Sequence, residues 1–210
     1  MPSKNVYRVG TDGSANYSTL SAIPAEILTQ GDTSILVYPG TYDALTSAVL
    51  SDVAFIGVGD REEIVVNGGL TIANTSTGTV SFENISFVGS NAAVAAAASC
   101  VTKLGIAPTA LHFKNVAFSN AKHAVTSHTT LVQAAGAQQV VLNYSDASAV
   151  DQAIVANANV GVNWSALNTT ANAFYQVGAG GAGAVVTIRA STSGGANTGN
   201  TVKTVVALIS

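Results

Sequence analysis

Phe82-Glu83-Asn84-Ile85-Ser86-Phe87 and Phe113-Lys114-Asn115-Val116-Ala117-Phe118 share the pattern F-x-N-[IV]-x-F at an offset of 31 residues. A period of about 20 to 50 residues is the mark of a solenoid, in which each short strand stacks on its equivalent in the next coil. Phe82 is then expected over Phe113, with Asn84 beside Asn115. Side chains alternate along a strand, so Phe82 and Asn84 share one face while Ile85 and Phe87 take the other. Both Phe residues can be buried only if the chain bends between them, and Asn suits such a turn. The competing reading, two unrelated amphipathic strands, makes no such demand.

Composition fits stacked coils. Only 9% of the 210 residues are charged, with 8 Lys+Arg and 11 Asp+Glu, against about 25% in an ordinary domain. The polar residues are mostly neutral: 22 Thr, 20 Ser and 16 Asn. Like charges in register repel across the ~4.8 Å strand spacing, and neutral side chains avoid that penalty. A hydrophobic content of 48% argues against disorder. The net charge of −3, without a basic run, removes the attraction that dominates nucleic-acid binding, so no nucleic-acid partner is expected. No apolar run reaches ~18 residues, and no membrane span is expected. The opening Met-Pro-Ser-Lys-Asn-Val-Tyr-Arg lacks the apolar region of a secretory signal, which points to synthesis in the cytoplasm. Cys100 is alone, which excludes an internal disulfide framework, and it reads as a small buried hydrophobe.

Ser34–Tyr38 is a β-rich run closed by Pro39-Gly40, Val53–Gly59 ends on glycines, and Ile64–Val66 runs into Asn67-Gly68-Gly69 before Leu70–Ile72 resumes. Within Tyr17–Leu28, Leu20, Ile23, Ile27 and Leu28 stand at helical spacing, with Gly31 as terminator. Pro24 is tolerable only in a first turn, so this helix starts near Ile23 or is broken there. Its apolar face would cover the open end of the solenoid core. Asn91–Ala107 is Ala-rich and reads either as a strand and turn or as a short helix. From about Thr129 the strands look longer: Gln138–Tyr144, Ala184–Arg189 and Thr201–Ile209, joined by loops such as Gly178–Gly183. The latter does not have phosphate-loop spacing.

Three segments carry a family likeness: Gly10-Thr11-Asp12-Gly13-Ser14-Ala15-Asn16-Tyr17-Ser18-Thr19-Leu20, Ile35-Leu36-Val37-Tyr38-Pro39-Gly40-Thr41-Tyr42 and Val53-Ala54-Phe55-Ile56-Gly57. In order and spacing they resemble the opening of the pectin lyase-like right-handed parallel β-helix families, and most of all the pectin methylesterases. The resemblance covers roughly residues 6–120 and includes the F-x-N strands. It makes Asp12, Gly13, Tyr17, Pro39, Gly40, Tyr42, Phe82, Asn84, Phe87, Phe113, Asn115 and Phe118 the fold-defining residues. The implied fold is all-β: a right-handed parallel β-helix (solenoid) with an N-terminal capping helix over residues 1–130, followed by a β-rich C-terminal region, 131–210, for oligomerisation or attachment.

Fold likeness does not carry the reaction with it. The methylesterases are implied to use two aspartates, an arginine and supporting glutamines on later coils, and their G-x-V-D-F-I-F-G strand and L-G-R-P-W segment are missing here. No Asp or Glu lies between Glu83 and Asp146, and no Arg between Arg61 and Arg189. Gln133, Gln138 and Gln139 remain, but glutamines without a carboxylate nucleophile or base do not run ester hydrolysis. A glycosidase or lyase needs a carboxylate pair, or a basic residue beside bound calcium. Asp52, Asp60, Glu62 and Glu63 form the densest acidic group and read as solvated turn residues beside Arg61. His112 sits on a strand. His123 and His128 read as loop histidines, with shared metal ligation around a symmetry axis as the alternative. No catalytic residue, metal or cofactor is expected.

The expected function is that of a non-enzymatic virion structural protein of a bacteriophage. A capsid decoration (knob or cement) protein fits best, a homotrimer located in the virion and bound to a viral capsid or tail protein. Val202, Val205, Val206 and Leu208 are the expected oligomer or partner contacts. The alternatives are a tail spike, fibre or receptor-binding protein that recognises surface glycans, with Trp164 for sugar stacking, and a carbohydrate esterase or lyase dependent on Asp146 or Asp151.

Overall fold

The computed structural model describes residues 5–73, 75–89, 99–104, 109–119 and 121–127, then strand segments between 138 and 208. Side chains are described through Ser119, apart from Ser47, Ser99, Lys103 and Thr109. The chain winds in coils. Strand β1 (Asn5–Val9) leads through a loop and a 3-10 turn (Leu20–Ala22) to a short helix, α1 (Ala25–Thr29). Next come β2 (Thr33–Val37) and β3 (Gly40–Ala48), then β4 (Ser51–Gly57) and β5 (Ile64–Ile72). Two fuller coils follow: β6 (Thr77–Glu83), β7 (Ser86–Val88) and β8 (Ser99–Lys103), then β9 (Thr109–Lys114), β10 (Ala117–Ser119) and β11 (Ala121–Ser127).

β1, β2, β4, β6 and β9 lie side by side in one sheet. It continues through Gln138–Asn143, Val160–Ser165, Val185–Arg189 and Val205–Leu208, nine strands among the described residues, all paired in parallel. The sheet runs past residue 130 with Leu142 opposite Phe113. In the second sheet β3 pairs with β5, after which the sheet forks. Val65–Asn67 of β5 pairs with β7 and so leads to β10, while Leu70–Ile72 pairs with β8 and so leads to β11. The protein is an all-β parallel solenoid with almost no helix.

The corner between β6 and β7 is the bend the repeat required. Asn84 has φ 59° and Asn115 φ 51°, in the left-handed region that Asn tolerates better than most residues. Phe82 and Phe87 are thereby both buried, and their rings meet edge-on with centroids 5.4 Å apart. Along the solenoid axis Phe55, Phe82 and Phe113 stack at 5.3 and 5.4 Å, and Phe87 stacks on Phe118 at 6.0 Å. Each such pair adds about 0.5–1.5 kcal/mol beyond the area it buries.

The motif residues near the N-terminus hold turns and one buried hydroxyl. Asp12 accepts hydrogen bonds from the Ser14 backbone N–H (3.0 Å) and hydroxyl (2.8 Å), closing a turn over Gly13 at φ +78°. Tyr17 ties the loop to β1: its N–H donates to the Arg8 carbonyl and its carbonyl accepts from the Gly10 N–H. Tyr42 is buried, and its hydroxyl donates to the Tyr38 carbonyl at 2.6 Å across the Pro39-Gly40 turn. Burial, and then the charge of Asp12, raises the Tyr42 phenol above its ordinary pKa.

The expected helix is two short pieces. Pro24 has no N–H to continue the 3-10 turn, so it caps α1 instead. Leu20, Ile23, Ile27 and Leu28 are nonetheless all buried. Leu20 lines a void of about 10 Å³ with Leu45, Phe55 and Phe82, among others. An apolar space of that size is at the lower limit for one water. Within the Ala-rich segment, β8 shows a strand at 99–103, while 91–98 and 105–107 lie outside the described residues.

Gly57 closes β4, one residue beyond the Ile56–Glu83 pair. A Cβ there would overlap the Asn84 carbonyl and approach Ile64 Cδ1 to 2.8 Å. Gly57→Ala is expected to lower the unfolding free energy by about 1–3 kcal/mol or more in denaturant titration. A loss below roughly 0.5 kcal/mol, the range of an ordinary surface change, would contradict this steric account.

Candidate functional site

In strands β1 to β9 of the first sheet alternate residues point away from the core, and their register makes outer lines. Ser34, Ala54, Ser81 and His112 stand opposite one another on successive strands, and the line continues through Val141, Asn163, Thr187 and Val206. Ser34 is buried, while Ala54, Ser81 and His112 are half-buried. In the next outer line Glu83 faces Lys114 with Nζ 2.6 Å from Oε1, opposite charges at directly paired positions. Both side chains are exposed, so the pair contributes only about 0–1 kcal/mol. That line continues through Asn143, Ser165, Arg189 and Leu208. The register thus gives Val206 and Leu208 positions on outer lines. Val205 takes the position of buried Val53, Val80 and Leu111, and Val202 lies outside the described residues.

Asp32 and Asp52 stand where the chain turns into β2 and β4. Both have positive φ, 44° and 48°, and Asp52 accepts the Thr79 N–H at 2.9 Å. With Thr33, Val53, Ala54, Thr79 and Ser81 they line a groove of about 160 Å³. That is smaller than the ~300–1,000 Å³ of a small-molecule site. Sequence reasoning grouped Asp52 with the other acidic residues and overlooked Asp32 altogether. The available signal was an Asp immediately before a β-rich run in both places.

The acidic group at 52–63 is split by the length of β4. Asp60 precedes a 3-10 turn, Arg61–Glu63, where Arg61 bonds Glu62 Oε1 at 2.9 Å and the Asn115 carboxamide at 3.3 Å. Glu62 is held below the ordinary carboxylate range by a backbone hydrogen bond and then by Arg61. Asp12 is lowered by the Ser14 N–H and hydroxyl. Among the described residues no group of three or more His, Cys, Asp or Glu is placed to hold a metal ion. Asp146 pairs in register with Ala117 and Asn168 in the second sheet, while Gln139 pairs with Ala110 in the first. Asp151 and Gln138 lie on described strands, and His123 stands opposite Ser99 and Gln152. Trp164 takes the register position that continues the Phe82–Phe113 line through Leu142. Gln133 and His128 lie outside the described residues.

Cys100 is buried where β8 approaches the forked corner, with Sγ 3.3 Å from the Ser119 carbonyl and 3.6 Å from that of Phe87. Burial pushes its thiol up to about 12 from an ordinary 9.0. A buried thiol of this kind is chemically inert. No protein-family model matches the chain, and comparison with curated proteins and with solved structures gives no match.

Because the folded thiol has the raised pKa, its protonated form stabilises the fold fully below about pH 9, and that contribution is lost as pH rises toward 12. Stability-versus-pH curves of the parent and Cys100→Ala should therefore converge over this window, by up to about 1.4 kcal/mol per pH unit. Parallel curves, or rapid thiol modification of the folded protein at neutral pH, would contradict the assignment.

Proposed function

We propose that this chain is a non-enzymatic structural protein of a bacteriophage virion, a capsid decoration protein that assembles on the head as a homotrimer. The carrying observation is one line on the first sheet, where Ser34, Ala54 and Ser81, all small and neutral, stand in register across successive coils ahead of His112. Such a surface packs against another protein without stranding charges. Four of the described carboxylates support the same reading: Asp12, Asp52 and Glu62 are engaged in turns and an ion pair, and Glu83 pairs with Lys114.

In this proposal the coils wind right-handedly, as parallel crossovers do in about 98% of cases. The Leu20–Thr29 segment closes the core at its N-terminal end, as solenoid caps do. Trp164, which a glycan-binding tail protein would use for stacking, has a register position on the phenylalanine line, which favours the decoration role. Val206 and Leu208, on outer lines, are the preferred contacts between subunits.

Native mass spectrometry of the protein, together with its detection in purified virions, tests the proposal. A trimer present on particles is expected, with Leu208→Asp shifting the mass toward monomer while circular dichroism is kept. A stable monomer absent from particles would overturn it.

A further inference from the structure

We propose that Asn67 is a site of spontaneous, backbone-assisted deamidation, and that its product places a carboxylate opposite Asp43. Asn67-Gly68 is the only Asn-Gly pair in the chain, and both residues are exposed. They lie within β5, at the end of its first paired half. Asn67 is the last residue of its half of β5 with register partners, Asp43 on one side and Val88 on the other, and pairing resumes only at Leu70, opposite Leu45 and Val101. Gly68 and Gly69 fall in the gap, at the corner where the second sheet forks, with φ +90° and +83°. A Cβ on Gly68 would press on the Ala44 methyl at 3.3 Å and meet no other heavy atom within 4 Å.

In the reaction the Gly68 backbone nitrogen loses its proton to hydroxide and attacks Asn67 Cγ. The new N–Cγ bond forms as the Cγ–Nδ2 bond breaks, and the amide nitrogen leaves as ammonia after protonation by water. The resulting succinimide is opened by water at either carbonyl, giving aspartate or isoaspartate. The balance is one water consumed and one ammonia released, with no oxidant or reductant. Because hydroxide removes the proton, the rate rises with pH.

The product matters because of what faces it. Asp43 is exposed and directly in register with Asn67, so conversion sets two carboxylates opposite each other, a destabilising like-charge pair. The isoaspartyl form also inserts a methylene into the backbone of β5, between the half that pairs with β7 and the half that pairs with β8.

The test is to age the full-length protein in mildly alkaline buffer and follow it by intact mass and peptide mapping. The expected result is an amide-to-acid conversion at Asn67 ahead of every other Asn, with aspartyl and isoaspartyl products, and its loss in Asn67→Gln. Equal conversion rates in the parent and Asn67→Gln would overturn the proposal. So would an Asn67 that stays intact in the folded protein while converting in denaturant. The charge arm uses Asn67→Asp, which should lower the thermal midpoint, with recovery when Asp43→Asn is added. Failure to recover would overturn the placement opposite Asp43.

Discussion

The left-handed corner at Asn84 and Asn115 is the constraint from which the coil geometry follows. A non-glycine residue in that conformation costs roughly 1–2 kcal/mol, and the structure offsets this with hydrogen bonds. The Asn84 carboxamide N–H groups donate to the Gly57 and Gly59 carbonyls of the coil before, and its Oδ1 accepts from Asn115 Nδ2 at 2.7 Å. Its backbone N–H donates to the Lys114 carbonyl of the coil after, at 3.0 Å. Three coils are thus tied through one side chain and its backbone. Net values of about 0.5–1.5 kcal/mol per bond are enough to cover the strain. The same corner turns Phe82 and Phe87 into one core, so the aromatic stacks depend on it.

Corner chemistry also explains how so little charge is used. The four described non-glycine residues with positive φ are Asp32, Asp52, Asn84 and Asn115, all of the short polar type that tolerates this conformation. Two of the chain's 11 acidic residues are therefore committed to turning the chain into the first sheet. Others are tied down nearby, Asp12 by Ser14 and Glu62 by Arg61. On the first sheet, Glu83 and Lys114 meet with opposite signs at directly paired positions, while Arg8 stands opposite the neutral Leu36. A surface built this way is suited to packing against protein, which links composition to the proposed role through the fold.

Much of the core was legible because the repeat fixes it: Phe82 over Phe113 and Asn84 beside Asn115 follow from the 31-residue offset and the alternation of strand side chains. The buried positions of Leu20, Ile23, Ile27 and Leu28 were readable from their spacing, but the break at Pro24 reduced the helix to two fragments. Later coils were harder to see because they shorten. Val186 already stands opposite Val205, so no constant period marks them, and Leu142, Trp164 and Ile188 follow Phe113 in register without repeating its sequence. The candidate surface was illegible in residue order, since Ser34, Ala54, Ser81 and His112 become neighbours only when the coils stack. Asp32 stayed hidden for a related reason: its role is conformational, and a single aspartate before a strand carries no chemical signature.

The most direct measurement is a double-mutant cycle on the corner: unfolding free energies of the parent, Asn84→Ala, Asn115→Ala and the pair. Coupled corners predict that the double variant departs from the sum of the singles by about 0.5–3 kcal/mol, as for residues in one hydrogen-bond network. Additivity within ~0.3 kcal/mol would show that the two asparagines do not act together, and would contradict the account of how these coils are held in register.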